Sequence, residues 1–101
     1  MKGPFGFVDM LFNYKERCVR NDKTEGFTLD TALVTNRDYQ YETAVKSPYF
    51  KGGNWLVLEG SDTKEQALVV HEKWLAVLSC DVHSLRDCAD GVTYKKEEID
   101  Q

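Results

Sequence analysis

No run of about 18 apolar residues occurs in the 101-residue chain, which speaks against a membrane-spanning helix. Cysteine is scarce and odd in number, at Cys18, Cys80 and Cys88, with no CxxC pair. A secreted disulfide framework shows dense, even cysteines, so reduced thiols in a cytosol are the expectation. Positive charge is also short: 13 Lys and Arg face 17 Asp and Glu, for a net charge of −4. That disfavours a nucleic-acid partner, because such binding is driven by neutralising phosphates. The pair Gly52-Gly53 lacks a following GK[ST] and a helix directly after it, so it is not a phosphate loop. The apolar stretch at residues 5–12 is interrupted by Gly6 and Asp9 and has no small-residue cleavage site. It does not read as a signal peptide.

What is present describes one ordinary α+β domain, small, soluble and intracellular. The chain is 42% hydrophobic and 30% charged. At this length folding buries roughly two-thirds of the unfolded surface, enough for one core without staples. Residues 1–26 are expected to form an arm or short helix, running into a strand near Arg20, and then a polar turn at 21–26. Residues 27–59 alternate as strands. Phe27, Leu29, Thr31 and Leu33 share one face, then Tyr39, Tyr41, Thr43 and Val45, and a third strand covers 55–59. A tight turn at 36–38 and a longer loop through Pro48 and Gly52-Gly53 connect them as an antiparallel three-stranded meander. A short strand at 92–94 is a candidate fourth. Thr63, with Gln66 three residues on, is a helix N-cap pattern. Ala67, Val70, His71, Trp74, Leu75 and Leu78 then recur at helical spacing and predict one long amphipathic helix over 63–80 that packs on the sheet. Residues 83–90 read as a short helix or turn, and the charged tail 95–101 as frayed and flexible.

Each residue that could carry chemistry also has a plain structural reading. His71 on the apolar stripe has no ligand partner at the next turn, where Leu75 stands, and is expected to be packed beside Trp74. Cys80, His83 and Cys88 form a loose cluster with too few local ligands for a closed zinc site. Cys18 lies between Arg17 and Arg20, which would favour its thiolate if all were exposed. Glu42 and Glu59, on neighbouring strands, could approach as paired carboxylates, but nothing in the sequence places them in a cleft, and exposed strand charge is the expectation. No catalytic residue, cofactor or metal is therefore expected. The candidate partner-binding residues are Tyr49, Phe50, Lys51 and Tyr39, since aromatics at a loop tip anchor protein contacts.

The block from Tyr41 to Leu75 contains YETA, then Trp55 and Val57, then Thr63, Glu65, Ala67, His71 and Trp74 as T-x-E-x-A-x-x-x-H-x-x-W. In this it resembles a group of small proteins of tailed phages and prophages. The opening FGFVDMLFNYKERCV is similar to theirs as well. The resemblance implies a bacteriophage (viral) origin and expression in the bacterial host cytoplasm, and it brings no activity. In this reading the marker residues are structural: Thr63 caps, Ala67 allows close approach, His71 and Trp74 fill the interface, and Tyr41 faces Trp55 across a hairpin. The functional expectation is a non-enzymatic accessory protein that binds a host protein, a phage protein or a second copy of itself. The alternatives are a minor virion component and, below that, a small-ligand binder or enzyme with a pocket holding His71 beside Glu42 or Glu59.

Overall fold

The alternating segments form strands because each can bury one face under the single long helix. A computed structural model describes residues 17–34 and 38–98. Strands β1 (Cys18–Lys23), β2 (Thr28–Leu33), β3 (Tyr41–Lys46) and β4 (Trp55–Ser61) make an antiparallel meander in the order β1-β2-β3-β4. Helix α1 (Lys64–Leu78) follows and contacts all four strands. Two short strands, β5 (Ser84–Arg86) and β6 (Thr93–Lys95), pair as a separate hairpin. The α+β meander with one long helix is thus the fold. No helix among the described residues is long and apolar enough to cross a membrane.

The core is the inward face of the sheet against the helix stripe. Leu29, Val45, Phe50, Leu56, Leu58 and Leu85 are buried together, with Phe27, Tyr49, Trp74, Leu75 and Leu78 against them. Thr63 begins the helix as expected, its side chain accepting from the Gln66 amide at 3.1 Å. The helix stripe also falls as its spacing requires: Ala67 and His71 are fully buried, while Val69 is 69% exposed.

Four expectations are corrected. The fourth strand of the sheet is β1, and residues 21–23, read as a turn, belong to it. Their polar character reflects an edge position, not a loop. The segment at residues 92–94 does contribute to a strand, but in the C-terminal hairpin, where residues 83–90 supply the partner strand and its turn. Tyr41 and Trp55 do not face each other: the register pairs Tyr41 with Ser61 and Trp55 with Lys46, at opposite ends of the β3–β4 pair. The start of the tail is tied down, with the Lys96 amide donating to His83 O and the Glu97 amide to Tyr49 O. The arm expected over residues 1–16 and most of the turn at 36–38 lie outside the described residues, as does the end of the tail.

Candidate functional site

Three groups of polar side chains are drawn together by this topology, and the densest is centred on His71. Its Nδ1 lies 2.8 Å from Thr31 Oγ1, which lies 2.7 Å from Thr43 Oγ1. Its Nε2 lies 2.7 Å from Asp22 Oδ2 on the edge strand. Arg20 continues the chain, donating from Nε to the same Asp22 oxygen at 2.9 Å and from Nη1 to Glu72 on the helix. The pairing register explains the assembly. Thr31 and Thr43 are direct cross-strand partners, and Asp22 sits opposite Leu29 on the same inward face. The hydrogen bond from His71 holds the Asp22 carboxyl below the usual carboxylate range, with Arg20 reinforcing it against partial burial.

An aspartate, an imidazole and a hydroxyl in hydrogen-bonded sequence are the parts of a nucleophilic triad. Here His71, Thr31 and Thr43 are 0%, 0% and 1% exposed. The hydroxyl that would attack is spanned by its two neighbours and meets no solvent. Geometrically this is a buried relay that ties β1, β2, β3 and α1 together.

The second group holds the C-terminal hairpin. Asp87, fully buried, accepts from Lys51 Nζ at 2.5 Å, from the Ala89 amide at 2.8 Å and from the Val57 amide at 3.2 Å. Burial alone would push this carboxyl up, but Lys51 and the two amides outweigh it and leave the value lowered. Lys51 also lies 3.5 Å from Asp90, which accepts from Tyr94 Oη at 2.6 Å. Lys51 reaches this position from a backbone with φ of 53°, unusual for a side chain with a Cβ. The third group is smaller. Glu59 accepts from Lys73 Nζ and, at 3.0 Å, from Trp74 Nε1.

The candidate interface residues are placed differently from the exposed loop tip expected. Phe50 is 6% exposed and belongs to the core. The loop folds back through a 3-10 turn at Lys51–Gly53 rather than projecting. Tyr49 is half-buried, with Lys96 Nζ 5.3 Å from its ring centroid. Lys51 is engaged by Asp87. Tyr39 is half-buried, donates to Glu42 Oε2 at 2.8 Å, and packs its ring over Gly60. Burial, and then Glu42, push the Tyr39 phenol up.

Glu42 and Glu59 are not paired. Glu59 registers with inward-facing Thr43, while Glu42 lies one residue away and therefore on the other face. Cys80 and Cys88 are exposed, the latter donating to Leu58 O, and the His83 side chain is 83% exposed. Among the described residues no three His, Cys, Asp or Glu side chains are grouped to hold a metal. Cys18 is half-buried, with Sγ 3.8 Å from Asp30 Oδ1. Sequence reasoning missed Asp22, Thr31 and Thr43 as partners of His71. The signal was available only as a polar threonine at the same height of two neighbouring strand faces.

The other face of the sheet is the largest feature outside these groups. Alternation places Thr28, Asp30, Ala32, Glu42, Ala44, Lys46, Trp55 and Val57 there. Trp55 is 45% exposed. No described helix or strand lies over this face, since the helix and the buried Leu85 of the hairpin both pack on the inward side. Compared with known proteins, the chain matches no family model, no curated protein and no solved structure.

Proposed function

We propose that this chain is a non-enzymatic phage accessory protein that acts in the host cytoplasm by binding another protein. The observation that carries the reading is the one-sided cover of the sheet among the described residues. Four strands are sealed by α1 on one face, and the opposite face offers Trp55, Val57 and Ala44 among mixed charges. Aromatic residues in a patch rimmed by polar groups are the usual anchors of protein contacts. The YETA and T-x-E-x-A-x-x-x-H-x-x-W strings supply the phage assignment. The candidate chemistry supports a structural role, because His71, Thr31 and Asp87 are each consumed by internal hydrogen bonds.

Site-specific photo-crosslinking tests it. A photoreactive residue at position 55 or 46, on the open face, should give discrete protein adducts in infected cells. The same probe at Val69, on the outer face of α1, should not. Equal labelling from all three positions, or none from the sheet face, refutes the reading.

A further inference from the structure

The geometry points to a second copy of this chain as the occupant of the open sheet face, packed about a two-fold axis that runs across the strands through Ala44. This rests on the protein-binding reading and names the partner. On β3, Lys46 and Glu42 both face outward and Ala44 lies midway between them. A two-fold axis through Ala44 therefore sets Lys46 of each copy over Glu42 of the other, forming two ion pairs by symmetry. Sheets stack about 10 Å apart, a gap that an extended lysine and a glutamate span together. Lys46 is exposed and has no acidic partner among the described residues. Glu42 accepts only the Tyr39 hydroxyl there.

The same axis is consistent along β4. Trp55 is the cross-strand partner of Lys46, Val57 of Ala44, and Gly60 of Glu42. The rotation that matches Lys46 with Glu42 therefore brings Trp55 over Gly60 and the Tyr39 ring of the second copy. It sets Val57 against Val57. The small Ala44 at the centre lets the sheets approach. Asp30, in the same row, would meet its own copy across the axis, a like-charge contact that opposes the two ion pairs and weakens the dimer.

Area sets the strength. Four strands about 4.8 Å apart and six residues at about 3.3 Å each give a footprint near 380 Å² per copy. A standard interface buries about 800 Å² per partner, so this dimer is weak, concentration-dependent and salt-sensitive.

Sedimentation velocity on the full chain, from micromolar to millimolar concentration at low and raised salt, tests the arrangement. The mass should rise toward twice that of the chain and fall back with salt. Lys46→Glu and Glu42→Lys should each weaken the dimer about ten-fold or more, since each puts like charges face to face twice. The double variant restores opposite charges and should return to near the parent affinity. Ala44→Glu should abolish pairing, with unchanged far-UV circular dichroism showing that it folds. A monomer at every concentration overturns the proposal, and so does a double variant no better than the singles. A chain that stays monomeric yet cross-links another protein through position 55 loses self-pairing and keeps protein binding. Failure of both experiments removes the broader reading too.

Discussion

Replacing Asp87 by Asn should cost about 2–3 kcal/mol of stability at neutral pH, and that cost should vanish in acid. The substitution keeps the shape of the side chain. It removes the charge that Lys51 Nζ approaches at 2.5 Å and weakens or breaks acceptance from the amides of Val57 and Ala89. Hydrogen bonds to charged groups are worth about 1.5–3 kcal/mol, and breaking a fully buried pair costs about 3–5 kcal/mol. Lys51 is 26% exposed and can recover water, so the lower part of that range applies. For a domain of this size the melting point should fall by about 10 °C or more.

The pH dependence is the sharper part. The Asp87 carboxyl is lowered in the folded protein, so its contribution is present above the unfolded value of about 3.9. It is lost as pH falls through the folded value. Asparagine does not titrate, so the gap between parent and variant should narrow as pH falls below the unfolded value and close once it passes the lowered folded value. Asp22 and Glu59, also lowered, share no partner with Asp87, titrate in both proteins and cancel in the difference. Urea unfolding of both proteins across that range measures the gap directly. A gap under about 0.5 kcal/mol at pH 7, or one unchanged in acid, would refute the account of Asp87 as a charge held by Lys51 and two amides.

Thr31→Val should destabilise by about 2–3 kcal/mol in the same assay, because it leaves His71 Nδ1 and Thr43 Oγ1 buried without a partner. The triple variant Thr31→Val, Thr43→Val, His71→Leu should lose less than the sum of its parts, since it removes the polar groups rather than orphaning them. Gly60→Ala places a Cβ 2.2–2.7 Å from three Tyr39 ring atoms and should cost about 1–3 kcal/mol. Adding Tyr39→Ala should recover part of that loss, whereas an additive double variant would show that the contact is not the cause.

The sequence announces elements whose inward face is apolar and hides those whose inward face is not. β2, β3 and α1 are legible because Leu29, Val45, Ala67 and Leu75 repeat at the spacing of a strand or a helix. β1 is only half legible: a strand is expected near Arg20, but Asp22, its other inward residue, reads as turn until His71 is seen to receive it. The β5–β6 hairpin offers one buried side chain, Leu85, between exposed Ser84 and Arg86. One residue sets no period. The burial of Phe50 is hidden for a related reason: turn-forming glycines mark a bend but do not say on which side the preceding aromatic falls. The packing of His71 is legible from the stripe, but an apolar stripe carries no information on which hydroxyl its imidazole will find.

Why a small core spends fully buried positions on Thr31, Thr43 and His71 follows from where they lie. Toward β4 and the hairpin the interface is Leu29, Val45, Leu56, Leu58 and Leu85, contacts that tolerate small displacements. Under the middle of α1 it is Thr31, Thr43 and Asp22 around His71, contacts that tolerate none. A slip of β2 against β3 by one residue would turn Thr31 to the outer face and leave an imidazole nitrogen unpaired in the interior. The same slip of β1 would carry Asp22 away from His71 and Arg20 away from Glu72. The apolar half therefore supplies most of the driving force, and the polar half selects the register and edge strand that satisfy His71, Thr31 and Thr43. That division also fixes the open face: with β2 and β3 locked in register, Asp30 and Ala32 are held beside Ala44 and Glu42 for whatever docks there.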